Sequence, residues 1–169
     1  MEIERKFTVN ELPADLSSYP CRHIEQAYLN TDPVVRIRRQ DEEYYMTYKG
    51  KGLLAREEYN LPLNRKSYDH LLKKADGNII SKTRYLIPLD APSFSPSSPF
   101  YGKGIEASLS IELDIFDAPF LPLIIAEVEF PSEEAANDFL PPSWFHEDVT
   151  MNPAYHNSSL SLSPIPWTL

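Results

Sequence analysis

Seven basic and seven acidic side chains recur at every second position of short, β-type segments. In MEIERKF, a strand reading puts Glu2, Glu4 and Lys6 on one face and Ile3, Arg5 and Phe7 on the other. VVRIRR sets Arg36 and Arg38 against Val35 and Ile37, and TYKGK adds Lys49. REEYN aligns Arg56, Glu58 and Asn60, while KTRYLI aligns Lys82 and Arg84. SIELDIF aligns Glu112 and Asp114, and AEVEF aligns Glu127 and Glu129. Like charges two residues apart on one face repel, so folding alone gives no reason to place them there. An ion of opposite charge between them does. Carboxylate oxygens suit a hard divalent cation such as Mg²⁺ or Mn²⁺. Arginine grips phosphate oxygens bidentately and lysine acts as a point charge. A lumen balanced in total charge but divided into two poles would hold a metal–polyphosphate complex.

Two architectures compete for this pattern. In one, the charged rows are the solvent face of an antiparallel sandwich. In the other, a barrel is turned inside out, with ionic rows around a cavity and apolar rows packed outward against helices. The polar positions are almost all Glu, Asp, Arg and Lys, and strands 36–38, 49 and 82–84 are basic where 112–114 and 127–129 are acidic. That segregation favours the barrel.

The elements that must position these residues read as strands near 2–8, 24–30, 34–40, 43–49, 55–62, 80–87, 109–116 and 123–130. Tyr68, Leu71, Leu72 and Ala75 form an apolar stripe on a helix between Asn64 and Gly77, with Gly77 suited to the C′ position. A short helix starts at Ser132, with Glu133 and Glu134 at its N-terminal dipole and Ala135, Ala136 and Phe139 toward the core. Lys49-Gly50-Lys51-Gly52 reads as a hairpin turn. The proline-rich stretch PLDAPSFSPSSPFYGKG marks an insertion at 88–108. The expected organisation is one domain, 1–160, with that insertion and a tail over 161–169. The expected fold class is strand-dominated α+β: an eight-stranded antiparallel β-barrel with a few helices outside.

Composition narrows the function. The 169 residues carry a formal charge of −9, so the surface as a whole repels nucleic acid and anionic membranes. A polyanion can still bind if positive potential is focused inside. Cys21 is the one cysteine, which excludes an intrachain disulfide and a cysteine-based zinc site. No run of 18 apolar residues and no signal-like N-terminus occur, so a cytoplasmic location is expected. The oligomeric state is not readable from the sequence.

The N-terminal Glu-x-Glu-x-Lys strand resembles the hallmark of the CYTH family, the triphosphate tunnel metalloenzymes. QAYLN (Gln26 to Asn30), VVRIRR, TYKGKG, KTRYLIPL, ELDIF, AEVEFPSEEA and DVTMNPAYHNSSL follow in that family's order, covering residue 2 to about 160. The resemblance implies a tunnel-forming barrel that binds a triphosphate on its basic strands and one or two divalent ions, Mg²⁺ or Mn²⁺, on its acidic ones. It implies hydrolysis of inorganic tripolyphosphate, with three alternatives inside the family: a thiamine triphosphatase, an adenylyl cyclase or an RNA 5′-triphosphatase. A non-catalytic polyphosphate-binding protein is the alternative outside enzymology, and a lipocalin-like carrier is disfavoured by the ionic lumen. This chain departs from the family pattern at Asn60, often acidic elsewhere, and at Ala154, where an arginine is common.

On this reading Glu2, Glu4, Glu127 and Glu129 hold the principal metal, with Glu112, Asp114 and Glu58 available for a second. Lys6, Arg36, Arg38, Lys49, Arg56, Lys82 and Arg84 bind the phosphates. Glu2, Glu4, Lys49 and Lys82 stand closest to the chemistry, and no nucleophilic side chain is needed. His23, His70, His146 and His156 lack metal-ligand spacing and read as surface or capping residues. Tyr44, Tyr45 and Tyr48 read as barrel packing, and Trp144 and Phe145 as anchors of the C-terminal segment outside the barrel.

Overall fold

A computed structural model describes residues 1–13 and 15–163. Its strands are β1 (Glu2–Val9), β2 (Cys21–Thr31), β3 (Val34–Gln40), β4 (Glu43–Lys49), β5 (Ala55–Arg56), β6 (Glu58–Leu63), β7 (Asp76–Leu89), β8 (Ser93–Phe94), β9 (Leu109–Phe116), β10 (Ile124–Glu129), β11 (Phe139–Leu140) and β12 (Phe145–Asp148). Its helices are α1 (Arg65–Leu72), α2 (Glu133–Asp138) and α3 (Asn157–Leu162). Among the described residues no helix is long and apolar enough to cross a membrane.

One ten-stranded antiparallel sheet runs in the order β12-β1-β10-β9-β7-β2-β3-β4-β6, with β5 pairing β1. Seven of the long strands lie where expected; the strand expected at 55–62 breaks at Glu57 into β5, which pairs β1, and β6, which pairs β4. The free edge of β1 is shared: Glu2 and Ile3 pair with Arg56 and Ala55 of β5, while Phe7 and Val9 pair with β12. The chain thus nearly closes the sheet on itself, bringing β6 round toward β1.

The outward rows are apolar, covered over much of the barrel and exposed at Tyr48, Tyr59 and Leu61 of β4 and β6. Phe7 packs on Phe145, and Phe94, Phe130 and Phe139 gather beside it. Ala135 and Ala136 of α2 cap this cluster, and Ser132 accepts from Ala135 N at 3.1 Å as the N-cap. On the far side, Ile37 and Ala27 are covered by Tyr68 of α1. Asn64 is that helix's N-cap, accepting from Ser67 N at 2.8 Å.

Three features depart from the sequence reading. α1 ends at Leu72, and Gly77 lies in β7 rather than at a helix C′ position. Its φ of 69° is left-handed, and a Cβ there would stand 2.1 Å from Ser161 O. Glycine is therefore required by the close passage of α3, not by the end of α1. The stretch 88–108 begins inside β7, and its β8 pairs with β11. Of the tail expected over 161–169, residues 161 and 162 complete α3, and 164–169 lie outside the described residues.

Candidate active site

The inward row of each strand decides what the barrel encloses. Lys6, Arg36, Arg38, Lys49, Arg84, Glu4 and Glu127 are all buried. They line one lumen of about 210 Å³ with Glu2, Arg56, Glu58, Glu112 and Glu129. The solvent-face reading is thereby excluded. Lys82 and Asp114 are brought to the same region but do not line the lumen. Both side chains are 0% exposed, and Lys82 Nζ lies 5.1 Å from the centroid of the Phe116 ring. They sit beneath the wall, at the boundary with a plug of Ile80, Phe116, Ile125 and Leu160. Ile125 shares the inward parity of Glu127, so the inward rows are ionic toward one end and apolar toward the other.

Cross-strand register sets the pairing, and it divides the lumen in two. Lys6 stands opposite Glu127, and its Nζ donates to Glu127 Oε1 at 2.5 Å and Glu4 Oε1 at 2.7 Å. Arg84 stands opposite Asp114 and donates to both its oxygens at 2.7 and 2.6 Å. Arg84 also donates to Glu127 Oε2 at 2.7 Å and to Glu112. Lys82 Nζ donates to Asp114 Oδ2 at 2.5 Å. Lys49, opposite Glu58, lies 2.7 Å from Glu58 Oε2 and 2.8 Å from both oxygens of Glu2. Arg56 reaches Glu2 at 3.2 Å and Glu4 at 3.4 Å.

Arg36 and Arg38 differ. Among the described residues neither has a carboxylate within ion-pair distance. Arg38 Nε donates to Gln26 Oε1 at 2.9 Å, and its Nη1 to the Tyr45 hydroxyl at 3.3 Å. Arg36 Nη2 donates to Thr47 Oγ1 at 2.9 Å, and its buried Nε meets no acceptor. Thr47 in turn donates to Asn60 Oδ1 at 2.7 Å, and Asn60 Nδ2 to Glu58 at 2.8 Å.

Protonation follows this division. Burial works against the charge of Arg84, yet Asp114 and Glu112 outweigh it and hold the guanidinium well above its ordinary range. Burial likewise opposes the charge of Glu127, but Lys6 and Arg84 hold its carboxyl well below the usual range. Arg36 goes the other way: burial, and then Arg38 beside it, lower it. Lys82 is lowered to about 8, by burial first and then, against the pull of Asp114, by Arg84. Glu129, at the exposed end of its row, is raised by burial and by Glu112, Glu4 and Glu58.

Two groups escaped the sequence reading. His156 stands at the N-cap position of α3, as a capping residue would, but its side chain caps nothing: it is buried, not on the surface, and lines the lumen, with Nε2 3.4 Å from Thr150 O. Tyr45, taken for packing, turns its hydroxyl to Arg38. Their inward placement depends on register and on how the C-terminal segment folds back. Only the alternation Tyr45, Thr47, Lys49 hinted at the second.

Among the described residues no three His, Cys, Asp or Glu stand together in a metal-holding cluster. The carboxylates are drawn instead onto lysines and arginines. The donor set nevertheless suits a hard divalent cation. Oxygen ligands from Glu2, Glu4, Glu58, Glu112, Glu127 and Glu129 share one lumen, and Glu129 is raised by burial first and then by Glu112, Glu4 and Glu58 beside it.

Comparison with known proteins agrees with this geometry. The CYTH domain profile matches residues 1–134. An inorganic triphosphatase of Nitrosomonas europaea is 39% identical, over 96% of this chain and 97% of its own. One of Acetivibrio thermocellus is 28% identical, over 96% and 94%. The crystal structure of an inorganic triphosphatase superposes with a TM-score of 0.64 at 34% identity, covering 97% of this chain and 96% of its own.

Proposed function

The chain belongs to the CYTH domain family, and on that premise we propose that it hydrolyses inorganic tripolyphosphate to diphosphate and orthophosphate. The observation that carries this reading is the pair Arg36 and Arg38, buried in a lumen where every other cation already has a carboxylate. Two uncompensated guanidiniums inside a barrel are costly to the apo protein and complementary to a polyphosphate. The name shared by the two relatives supports the inorganic substrate.

The substrate's oxygens would bind Arg36 and Arg38 first. They would then compete for Lys6, Lys49, Arg56 and Arg84, which would turn from their carboxylates toward phosphate. The released Glu2, Glu4, Glu127 and Glu129, with Glu112 and Glu58 beside them, would hold a divalent cation. When bound, that cation supplies charge neutralisation and Lewis acidity at the phosphate oxygens. One released carboxylate accepts a proton from the attacking water as its oxygen bonds to phosphorus. The bridging P–O bond breaks, and the charge left on diphosphate is met by lysine and arginine. Lys82 and Asp114, beneath the wall, would fix the orientation of Arg84.

A second reading is an organic triphosphate. A recess of about 610 Å³, lined by Tyr44, Tyr45, Pro62 and Leu63, shares Arg36 and Arg38 with the lumen and has room for an organic group. Phosphate release from tripolyphosphate, thiamine triphosphate and ATP, each with Mg²⁺, Mn²⁺ or EDTA, decides between them. The inorganic reading expects tripolyphosphate to be preferred and EDTA to abolish release. No release from any of the three would overturn it.

A further inference from the structure

The cations of this lumen differ less in position than in what stands opposite them. Arg84 faces Asp114 across β7 and β9, and Lys6 faces Glu127 across β1 and β10. Arg38 faces Gln26 on one side and Tyr45 on the other; Arg36 faces Tyr28 and Thr47. All four flanking residues are neutral.

Gln26 is the most telling of them. It is 0% exposed, and its Oε1 takes Arg38 Nε at 2.9 Å. Among the described residues its Nε2 meets no acceptor. Folding alone disfavours such an amide, because an apolar residue of the same shape would leave no donor stranded. The oxygen cannot be exchanged for the nitrogen, since two donors would then meet. Glutamate has the same shape and would bind Arg38 more strongly, as Asp114 binds Arg84. It would also consume the charge.

We infer that Gln26 is a positioning residue for triphosphate binding: it aims Arg38 with a neutral acceptor so that the guanidinium's charge is kept for the substrate. Thr47 does the same for Arg36. The inference rests on the proposed polyphosphate site and adds what sets its affinity.

The test compares charge with shape at both positions. Gln26→Glu and Gln26→Met are made beside Thr47→Asp and Thr47→Val. Tripolyphosphate binding is titrated calorimetrically in EDTA, kcat and KM are measured with Mg²⁺, and Tm is recorded for each protein. The expected result for Gln26→Glu is a Kd and a KM raised about tenfold or more, the scale of one lost charge-assisted contact, with kcat within a few-fold and Tm near the wild-type value. Gln26→Met should keep Kd within about threefold, the effect of losing only a neutral hydrogen bond. Thr47→Asp and Thr47→Val should repeat the contrast at Arg36, so a folding failure at one position leaves the other decisive. Equal weakening by Glu and Met, tracking a fall in Tm, would make Gln26 merely structural and overturn the inference. So would an unchanged Kd in Gln26→Glu. A wild type that binds tripolyphosphate without hydrolysing it would sink the proposed reaction while leaving this inference to be judged on Kd. A wild type that does not bind would sink both.

Discussion

The wall built by β1, β10, β9 and β7 and the inward row of β3, Arg36 and Arg38, both bury cations and treat them oppositely. In the first, each lysine and arginine lies within ion-pair distance of a carboxylate and the charges close on one another. In the second, guanidiniums are held by an amide, a phenol and a hydroxyl. Both arrangements bury charge; the second leaves an unbalanced positive field in the lumen. The difference teaches that buried cations of one strand type can serve two ends. Paired ones keep carboxylates folded in and exchangeable, and unpaired ones attract the ligand that exchanges them.

The sharpest way to break this comparison is to remove one arginine from each wall. Arg84→Met takes a cation from Asp114, Glu112 and Glu127 at once, leaving Asp114 only Lys82 and Glu127 only Lys6, which should cost about 3–5 kcal/mol. That corresponds to a Tm lowered by roughly 6–20 °C in a domain of this size. Arg36→Met removes a buried charge that no carboxylate balances, and should change stability by no more than about 1 kcal/mol in either direction. Both should lose most activity. Thermal melts of the two variants side by side check this; equal losses would mean the walls do not differ as described.

The acidic wall can then be sharpened alone. Glu4→Gln keeps the shape and leaves Lys6 its bond to Glu127. Turnover of tripolyphosphate at saturating Mg²⁺ should fall about 10²-fold, the usual effect of losing one preorganised electrostatic group. Full turnover in the steady-state assay would remove Glu4 from the chemistry.

Much of this division was legible beforehand, and the residues show why. Period-2 alternation places Glu127 and Glu129 on one face whatever the fold, and β-branched or aromatic residues mark the strand bounds closely, valine and isoleucine at 34–40 and tyrosine at 43–49. Pairing was not legible, because it needs register. Nothing local says that Lys6 will stand opposite Glu127 or that Arg38 will stand between Gln26 and Tyr45. The sequence reading therefore grouped strands by sign, whereas β1 mixes both signs and binds its own lysine to its own Glu4. Depth was hidden for the same reason. Lys82 and Asp114 share faces with Arg84 and Glu112 but lie nearer the apolar plug, so they fall below the lining. Strands of two to four residues, β8, β11 and β12, carry too few alternations to show a period, and they form on surfaces that other elements supply.

Exchange of partners makes the walls interdependent, which a smaller effect tests. If bound triphosphate draws lysines away from carboxylates, the divalent ion should bind more tightly with the anion present. The coupling should be reciprocal and of the order of 5–150-fold. Calorimetric titration of Mg²⁺, with and without a non-hydrolysable triphosphate analogue, measures it. Unchanged Mg²⁺ affinity would mean that the walls act independently.

The smallest expected effect belongs to His156, which lies in the lumen near the paired wall. Burial, and then the ammonium of Lys6, hold its imidazole below the ordinary histidine value of 6.5, with Arg56 acting the same way and Glu4 opposing. The folded protein therefore takes up this proton at lower pH than the unfolded chain does. Between the folded value and 6.5 the unfolded state binds more protons, so stability falls as pH drops through that window and levels off below it. His156→Gln removes the titration. Its Tm relative to wild type should rise as pH falls from 6.5 and be constant above neutrality. Parallel curves would show that the imidazole carries no such penalty. Adding inorganic phosphate should shrink the difference, because an anion in the lumen stabilises the imidazolium and lifts its affinity for the proton. That last shift reads the anion drawn into the lumen by Arg36 and Arg38 with a probe that belongs to neither set of ion pairs.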